Sequence, residues 1–232
     1  MMHMRLDKFL ADAGLGTRSE VKKLLREGKI TVDNVKVTAP ETKVGEGSLV
    51  AYNGTPVGAA PKHLDYLLNK PTGYLSATED REGPTVLDLL PPDKRRNLFP
   101  VGRLDKDTEG LLLITDDGAF AHELLSPHRH VDKTYYARVT PALTEKAIPL
   151  VEEGLDIGDE KKTLPGKLTI LKGKEGEEEG EILLTIHEGR YHQVKRMAEA
   201  LGSTVTYLKR LSMGEYSLPE DLKPGEYILL EK

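Results

Sequence analysis

The 232-residue sequence contains no cysteine and no long apolar segment. The absence of cysteine excludes disulfide scaffolds, zinc–thiolate sites and cysteine nucleophiles. Purely apolar runs are no longer than Leu111–Ile114, whereas a membrane-spanning helix needs roughly 20 apolar residues. No basic segment followed by an apolar one precedes the first amphipathic pattern, so no signal peptide is predicted and a cytoplasmic location is expected.

Charge is distributed unevenly along the chain. The formal net charge is −5, yet residues 1–59 carry nine Lys or Arg against seven Asp or Glu, and residues 60–232 carry 24 against 31. The N-terminal part is therefore net positive and the remainder net negative. Because local charge steers polyanions whatever the net charge of the whole chain, the N-terminal part is the candidate for contact with nucleic acid.

The start of the chain predicts a compact module of two short helices followed by strands. Thr17 and Glu20 form a capping box for the second helix, and the pair Asp33-Asn34 marks a hairpin turn. The segment 53–63 is rich in glycine, proline and alanine and predicts a linker. The predicted domains are residues 1–59 and residues 60–232.

Beyond the linker, strand-like runs outnumber helical patterns and do not alternate strictly with them. This arrangement predicts an α+β domain built on a mixed, largely antiparallel sheet with flanking helices. The acidic, glycine-rich segment Lys172–Glu181 predicts a solvated hairpin loop. The whole chain is therefore expected to combine a small α/β module with a larger α+β domain.

A line of basic residues follows the two N-terminal helices. On the second helix, basic residues recur at every fourth position and therefore share one face. Such a run is often a solvated helix face, but cations fixed on rigid helices also release counterions when they meet a nucleic-acid backbone. The candidate RNA-binding residues in this part are Arg5, Lys8, Arg18, Lys22, Lys23 and Arg26.

The densest polar cluster is Val101–Gly118, where Arg103 and Asp105 precede a glycine-ended loop and an apolar strand. A carboxylate held at a strand-to-loop junction can act as nucleophile, general base or metal ligand. The cluster is similar to the start of a calcium-binding loop, but apolar residues occupy later ligand positions, so no metal site is predicted. A carboxylate-based glycosidase or N-ribohydrolase stays an alternative, with Asp107 or Glu109 as its second acid.

A second polar cluster, Glu188–Met197, places several cations at the start of a predicted helix. Cations there oppose the helix dipole, so they need an anionic partner, either a protein carboxylate or an RNA phosphate. Tyr135 and Tyr136 are neighbours on a predicted strand and face opposite sides of it. One of the two rings can therefore line a cleft and stack on a base, and the alternative from the residues alone is that both tyrosines belong to the core.

Five motifs, in the expected order along the chain, resemble those of the RsuA family of ribosomal RNA pseudouridine synthases. The opening RLDKFLADAGLGTRSE is similar to an S4 RNA-binding module, and GRLDKDTEGLLLITDDG is similar to the catalytic aspartate motif of the family. The family's other landmarks are matched by KPTGY, KTYYARV and EGRYHQVKRM. The last motif is closest to the branch that acts on small-subunit 16S rRNA, whereas sister branches modify 23S rRNA.

The resemblance implies a role for each matching residue. Asp105 matches the essential carboxylate, which attacks the sugar–base system of the target uridine, and Arg103 matches a residue that helps to displace the base. Tyr135 matches the ring that packs against the uracil, and Lys195 matches the basic partner of the aspartate. The family needs no metal and no organic cofactor. Further RNA contacts are expected from Lys70, Arg190, His192 and Gln193.

The resemblance also implies a partner, which is 16S rRNA or an assembling small subunit, and nothing in the sequence demands more than a monomer. Two alternatives stay open: an enzyme that acts on 23S rRNA, and a non-catalytic rRNA-binding or ribosome-assembly protein. Because the larger domain is net negative, its cations are expected to surround one cleft, with the acidic hairpin outside it. These cations are Lys70, Arg103, Arg129, Lys133, Arg190, Lys195 and Arg196.

Overall fold

The computed structural model of the chain describes residues 4–45, 47–57, 63–81, 83–95 and 97–230, without the side chain of Asp93. Contacts divide the chain into two compact units, with the division after His63. The predicted domain boundary between residues 59 and 60 lies outside the described residues. Across the described ranges, no helix is long and apolar enough to cross a membrane.

The N-terminal unit combines two helices with short strands. Its described elements are β1 (Met4–Arg5), α1 (Leu6–Asp12), α2 (Arg18–Arg26), β2 (Ile30–Val32), β3 (Val35–Lys36), β4 (Lys43–Val44), β5 (Val50–Tyr52) and β6 (Thr55–Pro56). The antiparallel order β3–β2–β5–β6 forms one sheet, and β1 pairs with β4. The helices and the sheet enclose one apolar core, whose fully buried side chains include Leu6, Leu10, Val21, Leu25 and Ile30.

The capping and turn signals of this unit are confirmed. The backbone nitrogen of Thr17 donates to Oε2 of Glu20 at 2.7 Å, and the backbone nitrogen of Glu20 donates to Oγ1 of Thr17 at 3.4 Å, which completes the capping box of α2. Asp33 and Asn34 both have positive φ and connect β2 to β3. Strands β1 and β4 have two residues each and were not predicted, because so short a strand carries no alternating pattern.

The prediction of a linker over residues 53–63 is wrong in its first part. Asn53 and Gly54 form a turn with positive φ, after which β6 pairs with β5. A proline can take part in β6 because that strand lies at the edge of its sheet. Residues 58–62 of the predicted linker lie outside the described residues.

The larger unit contains a sheet with helices beside it. Its described strands and α-helices are β7 (Asp65–Lys70), β8 (Phe99–Pro100), β9 (Glu109–Thr115), α3 (Gly118–Leu125), β10 (Lys133–Thr140), α4 (Ile148–Glu153), β11 (Lys167–Lys172), β12 (Gly180–Ile186), α5 (Gln193–Ala200), β13 (Thr204–Met213), β14 (Tyr216–Ser217) and β15 (Tyr227–Leu229). Short 3₁₀ helices cover Val86–Leu89, Pro92–Lys94, Pro127–Arg129 and Glu145–Ala147.

The strands of this unit belong to one sheet, in the order β11–β12–β10–β13–β9–β7–β15, with β14 beside β13 and β8 beside β9. Described neighbours are antiparallel apart from β13 and β9, which are parallel. The prediction of an α+β fold on a mixed, largely antiparallel sheet is confirmed. The acidic segment Lys172–Glu181 joins β11 to β12 as the predicted hairpin loop.

The parallel pair joins β13 to the strand that follows Asp105. Glu109 and Gly110 of β9 stand opposite Lys209 and Arg210 of β13. Gly110 has a φ of +101°, and a Cβ atom at this position would lie 2.2 Å from the carbonyl oxygen of Arg210. Glycine is therefore required at the end of the polar loop, because a side chain there would separate the two strands.

Candidate active site

A pocket opens in the larger unit where the loop before β9, strands β10 and β13 and the start of α5 meet. Asp105 and Thr108 come from the loop, Tyr135 from β10, Leu208 from β13 and Lys195 from α5. The segments that supply these side chains are far apart in the sequence. The pocket therefore exists only because the sheet order places β10, β13 and β9 side by side.

Asp105 lies in the wall of this pocket, and its side chain is 30 % exposed. Oδ2 of Asp105 is 3.1 Å from Nζ of Lys195, and Oδ1 is 3.4 Å from Nε2 of His192. The carboxylate is thus held between two basic groups while solvent still reaches it. A carboxylate in this position can act as a nucleophile or as a base.

Lys195 is shared between two carboxylates. Its Nζ also donates to both oxygens of Asp107, at 2.8 and 2.9 Å. Burial opposes the charge of Lys195, but the hydrogen bonds with Asp107 and Asp105 outweigh it and raise the pKa of this lysine above its ordinary value. The hydrogen bond from Lys195 lowers the pKa of Asp107. Lys195 is therefore positively charged at neutral pH.

The two adjacent tyrosines lie on opposite faces of β10, as predicted. Tyr135 is buried and lines the pocket, whereas the hydroxyl of Tyr136 donates to Oε2 of Glu181 at 2.8 Å. Arg103 is exposed and lines the same pocket. The structure thus brings together the four residues expected to take part in catalysis, Arg103, Asp105, Tyr135 and Lys195.

Lys70 does not lie on the surface, and this corrects the expectation that it contacts RNA. Its side chain is fully buried, and its ammonium donates to the carbonyl oxygens of Pro71, Asp105, Lys106 and Thr108 at 2.8 to 3.4 Å. Burial lowers the pKa of Lys70 to about 8, against the opposing effect of nearby carboxylates. Lys70 therefore holds together the backbone of the loop that carries Asp105.

The side chains of Arg190 and Gln193 are also engaged within the protein. Arg190 donates from Nε to Glu188 at 2.9 Å and from its terminal nitrogens to Asp159 and to carbonyl groups of residues 161–162. Gln193 is buried, accepts from the backbone nitrogen of Arg190 and donates to Glu188. These contacts correct the expectation that both side chains contact RNA. The anionic partners required at the start of α5 are protein carboxylates.

The expected ring of cations is formed only in part. Arg196 pairs with Asp159 and Arg129 with Glu123, and neither of these arginines lines the pocket. Among the described residues of the acidic hairpin, none lines it either. The expected cations that do line the pocket are Arg103, Lys133, Arg190 and Lys195.

Two polar residues of the pocket were missed in the sequence. Thr108 and Arg210 both line it and are both buried. Arg210 follows a lysine in a basic-looking stretch, which suggests an exposed position. The available signal was the alternation of β13, because residues two apart on a strand share a face and Leu208 is an inward-facing residue of the same strand.

The candidate RNA-binding residues of the N-terminal unit are exposed. Arg5 pairs with the buried Asp7 at 3.0 Å, and its hydrogen bond lowers the pKa of that carboxyl. The other candidates lie on the two helices and, within the described part of the chain, have no ion-pair partner within 4 Å. They are Lys8, Arg18, Lys22, Lys23 and Arg26.

Comparison with known proteins gives consistent matches over both units. The model of the S4 domain matches residues 4–50, and that of RNA pseudouridylate synthase matches residues 64–200. The chain is 46% identical over 226 residues to the uncharacterized RNA pseudouridine synthase YtzG of Bacillus subtilis, covering 97% of this chain and 93% of that protein.

Two other relatives carry a more specific name, ribosomal small subunit pseudouridine synthase A. The protein from Vibrio parahaemolyticus is 41% identical over 226 residues, covering 97% of this chain and 94% of the relative. The protein from Escherichia coli is 38% identical over 225 residues, with 97% and 95% covered. A crystal structure of a pseudouridylate synthase superposes with a TM-score of 0.68 at 34% identity, covering 98% of this chain and 96% of the other.

Proposed function

The chain belongs to the family of RNA pseudouridylate synthases, and we propose that it converts one uridine of 16S ribosomal RNA to pseudouridine. The choice of RNA is supported by the names of the relatives from Vibrio parahaemolyticus and Escherichia coli, which resemble this chain over nearly its whole length. The observation that carries the chemistry is the contact of Asp105 with Lys195 at 3.1 Å, in a pocket that Tyr135 also lines.

The target uridine must first leave the base stack, because its sugar–base bond is inaccessible inside a helix. Extrusion of a nucleotide costs about a few kcal/mol. In the proposed complex the uracil packs against the ring of Tyr135, and stacking of this kind offsets part of that cost. Arg103, exposed at the pocket, enters the space that the base leaves in the RNA.

Asp105 then acts on the sugar of the extruded nucleotide. It either attacks C1′ and forms a covalent adduct or removes a proton from the sugar. The bond between N1 and C1′ breaks, the uracil turns, and C5 joins C1′, so that no atom is gained or lost. Lys195 compensates the negative charge of the carboxylate and holds it in the pocket.

The N-terminal unit supplies the RNA-binding surface in this proposal. Its helical cations have no ion-pair partner among the described residues and are suited to follow a phosphate backbone; they are Lys8, Arg18, Lys22, Lys23 and Arg26. In this proposal the enzyme acts as a monomer, because Arg103, Asp105, Tyr135 and Lys195 line one pocket without a residue from a second copy. A ribosomal substrate implies a cytoplasmic location.

Mapping of pseudouridine in 16S and 23S rRNA from cells that lack this protein tests the proposal. We expect one pseudouridine to be absent from 16S rRNA, and to return with the wild-type protein but not with Asp105→Asn. Asp221→Asn, which alters an exposed carboxylate outside the pocket, is the matched control and is expected to restore the modification. Loss of a pseudouridine from 23S rRNA instead would reassign the substrate to that RNA.

The same experiment separates the remaining alternatives. An unchanged pseudouridine pattern in both RNAs, together with retained binding of rRNA by the purified protein, would identify a non-catalytic rRNA-binding or assembly protein. Release of free uracil, measured by mass balance on the treated RNA, would identify an N-ribohydrolase. Pseudouridine formation without uracil release supports the isomerase.

A further inference from the structure

A buried guanidinium in the pocket has an unsatisfied donor. Arg210 lines the pocket from β13, and its side chain is 2% exposed. Its Nε donates to the carbonyl oxygen of Leu111 at 2.8 Å. Its Nη2 is buried and, among the described residues, has no hydrogen-bond partner. A buried donor on a charged group is costly when it lacks an acceptor, so this position calls for one.

A second buried polar atom of the same pocket also lacks a partner. Oγ1 of Thr108 has no hydrogen bond within the described part of the chain. The main chain of Thr108 is held firmly, since its nitrogen donates to the carbonyl of Asp105 at 3.1 Å and its carbonyl accepts from Lys70 at 2.8 Å. A guanidinium and a hydroxyl in one pocket can both donate to an acceptor that enters from outside.

Among the described residues that line the pocket, basic side chains outnumber carboxylates. Lys133, which is largely buried on β10, lines the pocket with Arg210, and burial together with Arg210 lowers the pKa of this lysine. Asp105 is the sole carboxylate among the described lining residues, and it already faces Lys195 and His192. The pocket therefore favours a ligand that is anionic or becomes so during the reaction.

We propose that Arg210 and Thr108 donate hydrogen bonds to a carbonyl oxygen of the uracil ring and stabilise the anion that the ring becomes on leaving the sugar. This inference rests on the proposed function. Tyr135 is the cross-strand neighbour of Arg210, so both side chains lie on the same face of the sheet. A uracil packed against Tyr135 is therefore within reach of Arg210. A phosphate of the RNA backbone fits less well, because Arg210 is buried.

The role follows from the electron balance of the reaction. When the bond between N1 and C1′ breaks, both of its electrons leave with the base, and the negative charge spreads over N1 and the two carbonyl oxygens. Donors placed at one of those oxygens stabilise this charge as it develops. The anion then uses an electron pair at C5 to form the bond with C1′. The C5 proton is released and N1 gains a proton, so the product is an isomer of the substrate.

Substrates with different leaving groups test this role. Single-turnover rates are measured at a series of enzyme concentrations on in vitro transcripts of 16S rRNA made with uridine or with 5-fluorouridine, as consumption of the target nucleotide. The maximal rate is written as kcat and the half-saturating enzyme concentration as KM. Fluorine withdraws electrons and stabilises the anion of the base without help from the protein. The variants are Arg210→Met and Thr108→Val, with Thr169→Val on the exposed face of β11 as the matched control.

On uridine, we expect kcat to fall about 100-fold in Arg210→Met and about tenfold in Thr108→Val, with KM changed less than about twofold. On 5-fluorouridine, both losses are expected to shrink several-fold. Thr108→Ser, which restores a hydroxyl, is expected to recover most of the lost rate. Thr108→Val decides the matter if Arg210→Met does not fold, because it removes the hydroxyl from a side chain of nearly the same size.

Equal losses on the two substrates would overturn the inference and assign both residues a structural role, such as binding a buried water. A rise in KM with kcat unchanged would overturn it in favour of contact with the RNA backbone. Failure of the proposed function looks different, because the wild-type protein would then form no pseudouridine in 16S transcripts.

Discussion

Nζ of Lys195 lies 3.1 Å from Oδ2 of Asp105, and this contact ties α5 to the loop that precedes β9. The same ammonium is closer to Asp107, at 2.8 Å, but the side chain of Asp107 is 72% exposed while that of Asp105 is 30% exposed. Water and salt screen an exposed ion pair more strongly than a partly buried one. We therefore propose that the chemistry depends on the longer contact, between Lys195 and Asp105.

Substitution of Lys195 is expected to lower activity far more than substitution of Asp107. Lys195→Gln leaves the Asp105 carboxylate without its nearest cation, and we expect kcat/KM on the rRNA substrate to fall about 100-fold. Asp107→Asn removes only the exposed partner of Lys195 and is expected to lower kcat/KM less than about threefold.

The pH dependence of the wild-type rate follows from the same contacts. Because the pKa of Lys195 is raised, its charge persists above pH 10, so the wild-type rate does not fall between pH 8 and 10 through loss of that proton. Single-turnover rates measured against pH check each point.

Equal losses in Lys195→Gln and Asp107→Asn would contradict this account. They would mean that Lys195 acts chiefly by anchoring the loop through Asp107. Thermal unfolding of both variants provides the control, because a general loss of structure would lower the unfolding temperature together with the activity.

Substitution of the two tyrosines of β10 is expected to separate their roles. Tyr135 lines the pocket, so Tyr135→Leu removes a stacking surface and should lower kcat/KM about 10-fold to 100-fold, in line with the energy of one base–aromatic stack. Tyr135→Phe keeps the ring and should retain most of the activity. Tyr136→Phe is the matched control on the opposite face, where it removes a hydroxyl that donates to Glu181 and also interacts with Arg138, and it costs about 1 kcal/mol of stability. Activity loss in Tyr136→Phe comparable with that in Tyr135→Leu would refute the assignment.

The cations of α2 are expected to govern the salt dependence of RNA binding. Lys22 and Arg26 are exposed, and within the described part of the chain neither has an ion-pair partner. If both contact phosphates, the double variant Lys22→Gln/Arg26→Gln loses two contacts, and the slope of log K against log[salt] becomes shallower by about 1.5. Binding of an rRNA fragment at several salt concentrations measures the slope.

The matched control for the salt experiment is Lys146→Gln in the larger unit, whose lysine is exposed and paired with Glu175. Its slope is expected to equal that of the wild-type protein. A double variant with an unchanged slope would show that the face of α2 carrying Lys22 and Arg26 is a solvated helix face without contact to RNA.

Local signals in the sequence were sufficient for the fold class and for part of the site. The capping box of Thr17 and Glu20 depends on residues three positions apart, and the opposite directions of Tyr135 and Tyr136 follow from the strand alone. Asp105 was found because it lies in one contiguous polar segment. Each of these features depends only on residues that are close together in the sequence.

The burial of Lys70 could not be inferred in that way, and for Arg210 the alternation of β13 was the one local signal. Both are basic residues that a sequence pattern assigns to the surface, and both are buried because β7, β9 and β13 are neighbours in the sheet. The carbonyl groups that surround Lys70 belong in part to a loop more than 30 residues further along the chain. Burial of this kind depends on tertiary contacts, which spacing and periodicity do not encode.

Lys70 is expected to make the free energy of unfolding of the protein rise with pH in the alkaline range. Its pKa is about 8 in the folded protein and 10.5 as the ordinary value. Between these values the unfolded chain holds a proton that the folded protein has released, so the free energy of unfolding rises with pH over that interval. Below pH 8 both states are protonated and the contribution is constant. The free energy of unfolding of the wild-type protein minus that of Lys70→Met should therefore increase from pH 8 to 10.5, by at most about 3 kcal/mol.

Denaturant unfolding at a series of pH values measures this difference, with Lys106→Met as the control for an exposed lysine of the same loop. The control is expected to follow the wild-type curve. If Lys70→Met does not fold, the ¹⁵Nζ resonance of Lys70 in the wild-type protein gives the same information and should titrate near pH 8. A titration near pH 10.5, or a stability difference that shrinks as the pH rises, would show that the four carbonyl groups keep the ammonium charged despite its burial.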